Sequence, residues 1–377
     1  MPERSIVEPS TAVPSAALDA ASPRLLVAAS GTGGHLFPAI ATAEALGADG
    51  YTIEWLGVPD RLETTLVPDH FPLHTVRMAG FQGRPGLGTA KTLAQFAQAT
   101  VQVRRLLKQG NFDGVFTTGG YIAAPAILAA RSLGLPAVLH ESNALPGKVT
   151  RWLSPRCTTV ALGFEAARQY LPKANTVVVG TPVRGEFLTP ELPPLTDPAI
   201  PAGVPLIVVV GGSQGAVAVN QLVRAAAPAW VESGAWIVHQ TGSNDPEADS
   251  YSHPHYIHRP FFGSMAALMH RATLAIGRSG AGTLTELAIS NTPSILIPYP
   301  YAAEDHQTVN AKAFVDAQAA ILQPQSQTTA DDLQGLVLAL LANPEQLEQM
   351  AAASGHLAMA DSATRLADLI QKVVQHR

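Results

Sequence analysis

The chain has one cysteine, Cys157, so no internal disulfide can form, and a reducing compartment suits it. No stretch of about twenty apolar residues runs without a break, so no membrane-spanning helix is expected. Residues 1–22 are rich in Ala, Ser and Pro but lack a charged start followed by an apolar block. They read as a disordered leader and not as a signal peptide. Charge is scarce too: only 14% of residues are Asp, Glu, Lys or Arg, against 47% hydrophobic residues. That leaves ample apolar surface for cores.

At 377 residues the chain is long for one domain, and two are expected. The net charge of −5 is unevenly spread. Residues 23–180 hold 14 Lys/Arg against 9 Asp/Glu, and residues 181–377 hold 9 against 17. The first half is the one suited to an anionic surface, and no nucleic-acid partner is expected.

Strand signals at 24–29, 51–56, 74–78, 114–118, 137–140, 158–162 and 176–179 alternate with helical patterns at 37–46, 89–108 and 121–133. A Pro-rich passage at 190–205 follows, and the scheme then repeats. Strands are expected at 206–210, 235–240, 256–257, 274–276, 294–298 and 320–322, and closing helices at 330–341, 344–353 and 361–375. Such alternation predicts an α/β fold of two doubly wound, Rossmann-like domains facing across a cleft. The expected divisions are a leader (1–22), an N-terminal domain (23–183), a C-terminal domain (184–360) and a terminal helix (361–377) packing back on the first domain.

Each half opens with strand, glycine loop, helix: Gly31-Thr32-Gly33-Gly34-His35 in the first, Gly211-Gly212-Ser213-Gln214-Gly215 in the second. The first is no dinucleotide fingerprint, because Leu36 stands where a glycine would be needed. A glycine loop at a helix N-terminus still suits a phosphate. The stretch 276–311, IGRSGAGTLTELAISNTPSILIPYPYAAEDHQTVNA, is more telling. A strand end, a glycine turn and a new helix make a pyrophosphate site, and Glu286 one turn in can accept both hydroxyls of a ribose. After a further strand comes a polar loop with Glu304, Asp305, His306, Gln307 and Asn310. Pyrophosphate, ribose and sugar hydroxyls together describe a nucleotide sugar.

GTGGHLFPA (31–39), GGY (119–121), HESN (140–143), GTPVR (180–184), GGSQGA (211–216), RSGAGTLTEL (278–287) and DHQTVNA (305–311) together resemble the bacterial cell-wall N-acetylglucosaminyltransferases of glycosyltransferase family 28. The resemblance runs from Arg24 to the C-terminus in the family's order. It implies the GT-B fold and inverting transfer of N-acetylglucosamine from UDP to the 4-hydroxyl of a lipid-linked muramoyl pentapeptide. It implies peripheral attachment at the cytoplasmic face of the inner membrane, with other cell-wall synthesis proteins as further partners. It places Thr32, Gly33 and Gly34 near the donor sugar and acceptor diphosphate, and Asn143 and Gln307 on sugar hydroxyls. Arg184 and Ser213 fall on the nucleotide, Phe262 beside uracil through its main chain, and Ala281, Gly282, Thr283, Leu284, Thr285 and Glu286 around pyrophosphate and ribose.

The chemistry of these residue types agrees. A leaving UDP gains negative charge, which a metal held by Asp-x-Asp often neutralises; the chain has no such motif. A helix N-terminus with Arg184 can do the same, so neither a metal nor another cofactor is expected. His35, a residue type that titrates near neutrality, is the expected general base, with Glu141 in reserve. Residues 77–108 carry Arg77, Arg84, Lys91, Arg104, Arg105 and Lys108 with no acidic residue, interleaved with Phe81, Leu87, Leu93 and Phe96. That segment is expected to rest on anionic headgroups. His253, His255 and His258 read as a polar loop, and Cys157, Trp55 and Trp152 as packing. The rival functions are a UDP-sugar epimerase, a non-catalytic UDP-sugar-binding scaffold, and a lipid glycosyltransferase with another acceptor such as diacylglycerol.

Overall fold

Short runs of Val, Ile, Leu and Ala, buried on both faces, form two all-parallel sheets, as such continuous apolar strands favour. A computed structural model describes residues 22–78, 87–189, 195–212 and 215–376, with the backbone alone over 87–91. The first sheet contains β1 (Arg24–Ala29), β2 (Thr52–Gly57), β3 (Leu73–Thr75), β4 (Gly114–Gly119), β5 (Ala137–Glu141), β6 (Thr159–Leu162) and β7 (Thr176–Val178), in the order β3-β2-β1-β4-β5-β6-β7. Helices α1 (Gly33–Ala48), α2 (Glu63–Leu66), α3 (Leu87–Gln109), α4 (Ala123–Ser132) and α5 (Lys148–Leu153) connect them.

The second sheet contains β8 (Leu206–Val210), β9 (Trp236–Gln240), β10 (Tyr256–Arg259), β11 (Leu274–Gly277), β12 (Ser294–Leu296) and β13 (Ala320–Leu322), in the order β10-β9-β8-β11-β12-β13. Its helices are α6 (Val217–Glu232), α7 (Met265–Arg271), α8 (Ala281–Ile289), α9 (His306–Asp316), α10 (Ala330–Leu341) and α11 (Pro344–His356). The strand order reverses direction between β1 and β4 and between β8 and β11. Loops leaving the carboxyl ends of these strands diverge there and leave a crevice. Gly31 follows β1 and Gly211 follows β8 at these strand ends.

Helix α12 (Ser362–Gln375) returns to the first domain and packs on α1. Its Leu366, Ala367, Ile370 and Val374 join the core around Leu25, Val27 and Leu36, and Gln371 Nε2 donates to Asp49 Oδ2 at 2.6 Å.

Some local expectations are corrected. The polar stretch at 304–310 is a loop only to Asp305, and α9 starts at His306. Helix α7 carries no marker that set it apart in the sequence. Trp55 is a core residue, fully buried with Nε1 donating to Ala29 O at 3.0 Å. Trp152, expected to pack inward, is 51% exposed, with the Arg156 guanidinium 4.5 Å from its ring centre. Cys157 packs against the first core, and burial pushes its thiol up to about 12. His255 stacks on Trp236 at 4.5 Å with His253 edge-on to it. Among the described residues, no group of three or more His, Cys, Asp or Glu is arranged to hold a metal.

A buried polar network supports the loops of the second crevice. Fully buried His239 of β9 meets Tyr256 Oη at 2.7 Å through Nδ1 and Asn220 Oδ1 at 3.0 Å through Nε2. An amide oxygen only accepts, so Nε2 carries the proton, Nδ1 accepts from tyrosine, and the ring is neutral. Burial, then the Arg224 charge, lowers its pKa to about 3. The unfolded chain therefore takes up a proton near pH 6.5 that the folded chain refuses until about pH 3, and stability falls with pH across that window. The loss from this group is about 2 kcal/mol by about pH 5. The difference in unfolding free energy between pH 7 and pH 5, measured by urea titration, is expected to shrink by that amount in His239→Gln. An unchanged difference would show that another group carries the dependence.

Candidate functional site

On the first-domain side, β1 ends at Ala29, Ser30 follows, and Gly31 turns the chain with φ +106°. Helix α1 then begins after Thr32 with no side chain capping it and no acidic residue in its first turn. Its leading amides and positive dipole end are left for an anion. Gly120, after β4, has φ +78°, and a Cβ there would lie 2.6 Å from Ser30 O. Only glycine lets the two loops touch. The preceding Gly119 lies against the His35 ring, and His35 Nδ1 sits 2.8 Å from Thr118 O. A carbonyl can only accept, so Nδ1 donates, and in the neutral tautomer Nε2 is the nitrogen with the free lone pair. Behind the loop, fully buried Glu63 accepts from Gly31 N–H at 3.3 Å and Val58 N–H at 2.8 Å.

On the second-domain side, α8 starts after Gly280, again with no side-chain cap and no acidic residue in its first turn. Ala281, Gly282 and Thr283 supply its leading amides. Leu284 is fully buried in the core and its N–H donates to Gly280 O at 3.0 Å, so it offers a ligand neither its side chain nor its amide. Thr285 returns its hydroxyl to Ala281 O at 2.9 Å. One turn on, Glu286 Oε1 takes two bonds from Arg184, at 3.0 and 3.2 Å, and neither falls on Oε2. Burial pushes this carboxyl above its ordinary range, Arg184 pulls it down, and Glu186 adds a smaller push upward. Arg184 also pairs with Glu186 at 2.6 Å and lies over the rings of Phe37 and Phe187 at 5.2 and 5.0 Å. Phe37 belongs to α1, so the guanidinium stands where the two domains meet. Gly33 makes room for this, since a Cβ there would sit 2.8 Å from the Phe37 ring.

The domains are joined again beyond β5. Glu141 Oε1 accepts from the backbone and side-chain N–H groups of Asn143, both at 3.0 Å. Asn310 of α9 reaches Asn143 from the other domain at 3.0 Å. Arg151 of α5 forms an ion pair with Glu304 at 2.5–2.6 Å, over consecutive left-handed residues Glu304 and Asp305. Gln307 is already engaged: its Oε1 accepts from Tyr299 N–H and its carbonyl from Ser279 Oγ, each at 2.8 Å. The Phe262 side chain is buried in the core, and its N–H donates to Gln240 Oε1 at 3.1 Å. A base stacked on that side chain is therefore ruled out, and a main-chain contact through N–H must displace Gln240. Ser213 lies outside the described residues.

Thr32, Gly33, Gly34 and His35 thus lie at the start of α1 and Glu141 and Asn143 at the end of β5, while Ala281–Thr285 and Glu286 lie on α8 and Gln307 on α9, with Arg184 paired to Glu286. Sequence reasoning did not find Phe37 or Glu63 and gave no role to Asn310. The polar run around Asn310 was a usable signal; nothing local marks Glu63.

Two doubly wound domains facing across a cleft, each offering an uncapped helix start, form the GT-B architecture of sugar-nucleotide glycosyltransferases. The N-terminal domain model of glycosyltransferase family 28 matches residues 25–162 and the C-terminal domain model residues 206–370. The UDP-N-acetylglucosamine–N-acetylmuramyl-(pentapeptide) pyrophosphoryl-undecaprenol N-acetylglucosamine transferase of Nostoc punctiforme is 61% identical over 93% of this chain and 98% of its own. The protein of the same name from Trichodesmium erythraeum is 57% identical over 94% and 93%. The crystal structure of Acinetobacter baumannii MurG superposes with TM-score 0.74 at 32% identity, covering 93% of this chain and 99% of that one. A protein assigned as a UDP-N-acetylglucosamine 2-epimerase from Listeria monocytogenes shares the fold alone, at 13% identity and TM-score 0.68. The chain belongs to glycosyltransferase family 28 and, within it, to the MurG family.

Proposed function

We propose that this protein transfers N-acetylglucosamine from UDP-N-acetylglucosamine to the 4-hydroxyl of undecaprenyl-diphospho-N-acetylmuramoyl-pentapeptide, converting lipid I to lipid II with inversion. Membership of the family supports the substrates. The observation that carries the chemistry is the guanidinium of Arg184 beside Glu286 and the uncapped start of α8. The diphosphate sits at that helix end, the ribose on Glu286 Oε2, and the sugar between Asn143 and Gln307. The muramoyl oxygen attacks C1 as the C1–O bond to phosphate breaks, the electron pair passes to UDP, and His35 Nε2 takes the hydroxyl proton. Fixed donors aimed at developing charge stabilise this transition state more than the ground state.

The direct test is transfer of labelled N-acetylglucosamine to a short-chain muramoyl-pentapeptide diphospho-lipid, with UDP-glucose and UDP-N-acetylgalactosamine alongside. Transfer from the N-acetylglucosamine donor alone is expected. Binding without transfer to this acceptor, or epimerised sugar formed without acceptor, would overturn the reading.

The protein docks on the anionic cytoplasmic surface of the membrane through α3 and the segment before it. Among the described residues, no helix is long and apolar enough to cross a membrane. Arg77, Arg104, Arg105 and Lys108 are exposed, and Leu93 and Val101 are 53% and 49% exposed. Phe96 instead packs partly against the core. Arg84 and Phe81 fall outside the described residues, as do the side chains of Leu87 and Lys91. Each basic residue near such a surface contributes about 1 kcal/mol. Co-flotation with phosphatidylglycerol vesicles, lost in the triple variant Arg104→Glu, Arg105→Glu, Lys108→Glu, is expected; no flotation of the wild type would refute docking.

A further inference from the structure

We infer that Asn310 is the positioning residue that holds the carboxamide of Asn143 toward the donor sugar, and that it does so only while the two domains are together. Asn310 is fully buried in the second turn of α9. Its Nδ2 donates to Asn143 Oδ1 at 3.0 Å and to Ser279 O at 3.2 Å, and its Oδ1 accepts from Ala144 N–H at 2.8 Å. Only one orientation of this amide fits. Turned over, its oxygen would face two other oxygens and its NH2 group would face an N–H.

That choice propagates across the cleft. With Asn310 donating to its oxygen, Asn143 must present Nδ2 to Glu141 Oε1, where one of its two protons is used at 3.0 Å. The second proton remains for a ligand hydroxyl. Asn143 and Glu141 belong to the first domain, Asn310 and Ser279 to the second. The orienting bond therefore exists only across the interface, and Ser279 is itself tied to the Gln307 carbonyl. Any opening of the cleft at this point removes the donor to Asn143 Oδ1 and leaves its carboxamide held by Glu141 alone. Donor-sugar binding is thereby coupled to domain contact, whereas the UDP portion meets the second domain and Arg184 and is independent of this bond.

The inference rests on reading Asn143 as a ligand of the donor sugar, and the experiment separates the two. Affinities for UDP-N-acetylglucosamine and for UDP are measured by calorimetry on the full chain for wild type, Asn143→Ala, Asn310→Asp and the double variant. Aspartate keeps the shape of asparagine but cannot donate when ionised. Asn310→Asp is expected to weaken the sugar nucleotide about tenfold, leave UDP within about twofold, and add nothing to Asn143→Ala in the double variant. If Asn143→Ala weakens the sugar nucleotide but Asn310→Asp does not, or if the two losses add, the positioning role is overturned and the sugar-ligand reading stands. If Asn143→Ala itself leaves the ratio of the two affinities unchanged, both fall. Equal weakening of UDP and UDP-N-acetylglucosamine by Asn310→Asp also overturns the role, since it marks a disturbance of the whole second domain. Should Asn310→Asp not fold, Asn310→Ser carries the same comparison.

Discussion

Replacing His35 with alanine is expected to lower kcat by about 10²- to 10⁴-fold, the usual range for a lost general base, with UDP-N-acetylglucosamine affinity within about twofold of wild type. The ring donates through Nδ1 to the Thr118 carbonyl and lies beside Gly119, so in the neutral tautomer Nε2 is the nitrogen that can take a proton. It stands on the same turn as the uncapped start of α1. A diphosphate held at that helix start brings an acceptor within reach of the imidazole. Glu141 is less suited, because Asn143 takes two bonds on its Oε1. Steady-state kinetics with both substrates varied decide the matter. A kcat within a few-fold of wild type removes His35 as the base, and a rise in acceptor KM alone assigns it to binding instead.

The second large effect is expected at Arg184. Arg184→Met should lower kcat by about 10²- to 10³-fold, comparable with losing one preorganised donor to a developing anion, and should weaken UDP as well. The variant leaves Glu286 and Glu186 close together without their shared cation, so a lower melting temperature is expected beside the kinetic loss. Arg184→Lys separates the effects. Lysine restores charge but not the fork that spans two carboxylates while lying over Phe37 and Phe187, so stability should recover more than turnover. If Arg184→Met keeps kcat/KM within about fivefold, leaving-group stabilisation belongs to the α8 amides alone.

Much of this architecture is legible in the residues. Strands such as Leu206–Val210 are short apolar blocks between glycine turns and helical patterns, and each predicted strand core appears in one of the two sheets. Local physics suffices there, because burial on both faces demands apolar residues at every position. Where periodicity fails, so does the reading: α9 opens His306-Gln307-Thr308, with its first fully buried residue at Asn310. Trp152 shows the limit from the other side, since an aromatic residue carries no local sign of whether a partner will cover it.

The sequence by itself determined the two doubly wound domains, the glycine loops at helix starts and the family, because those depend on backbone freedom, hydrophobic spacing and motif order. Tertiary structure alone decided which polar groups meet. Arg184 and Glu286 are 102 residues apart, Asn143 and Asn310 are 167 apart, and Gly31 and Glu63 are 32 apart. It also withdrew side chains the motifs had offered, burying Leu284 and Phe262 in the core, and it committed the Oε1 of Gln307 to Tyr299 N–H. The physical reason is that a motif constrains the conformation of its own segment. Hydrogen bonds and ion pairs between segments are set by how the sheets pack and by which groups burial leaves in need of a partner.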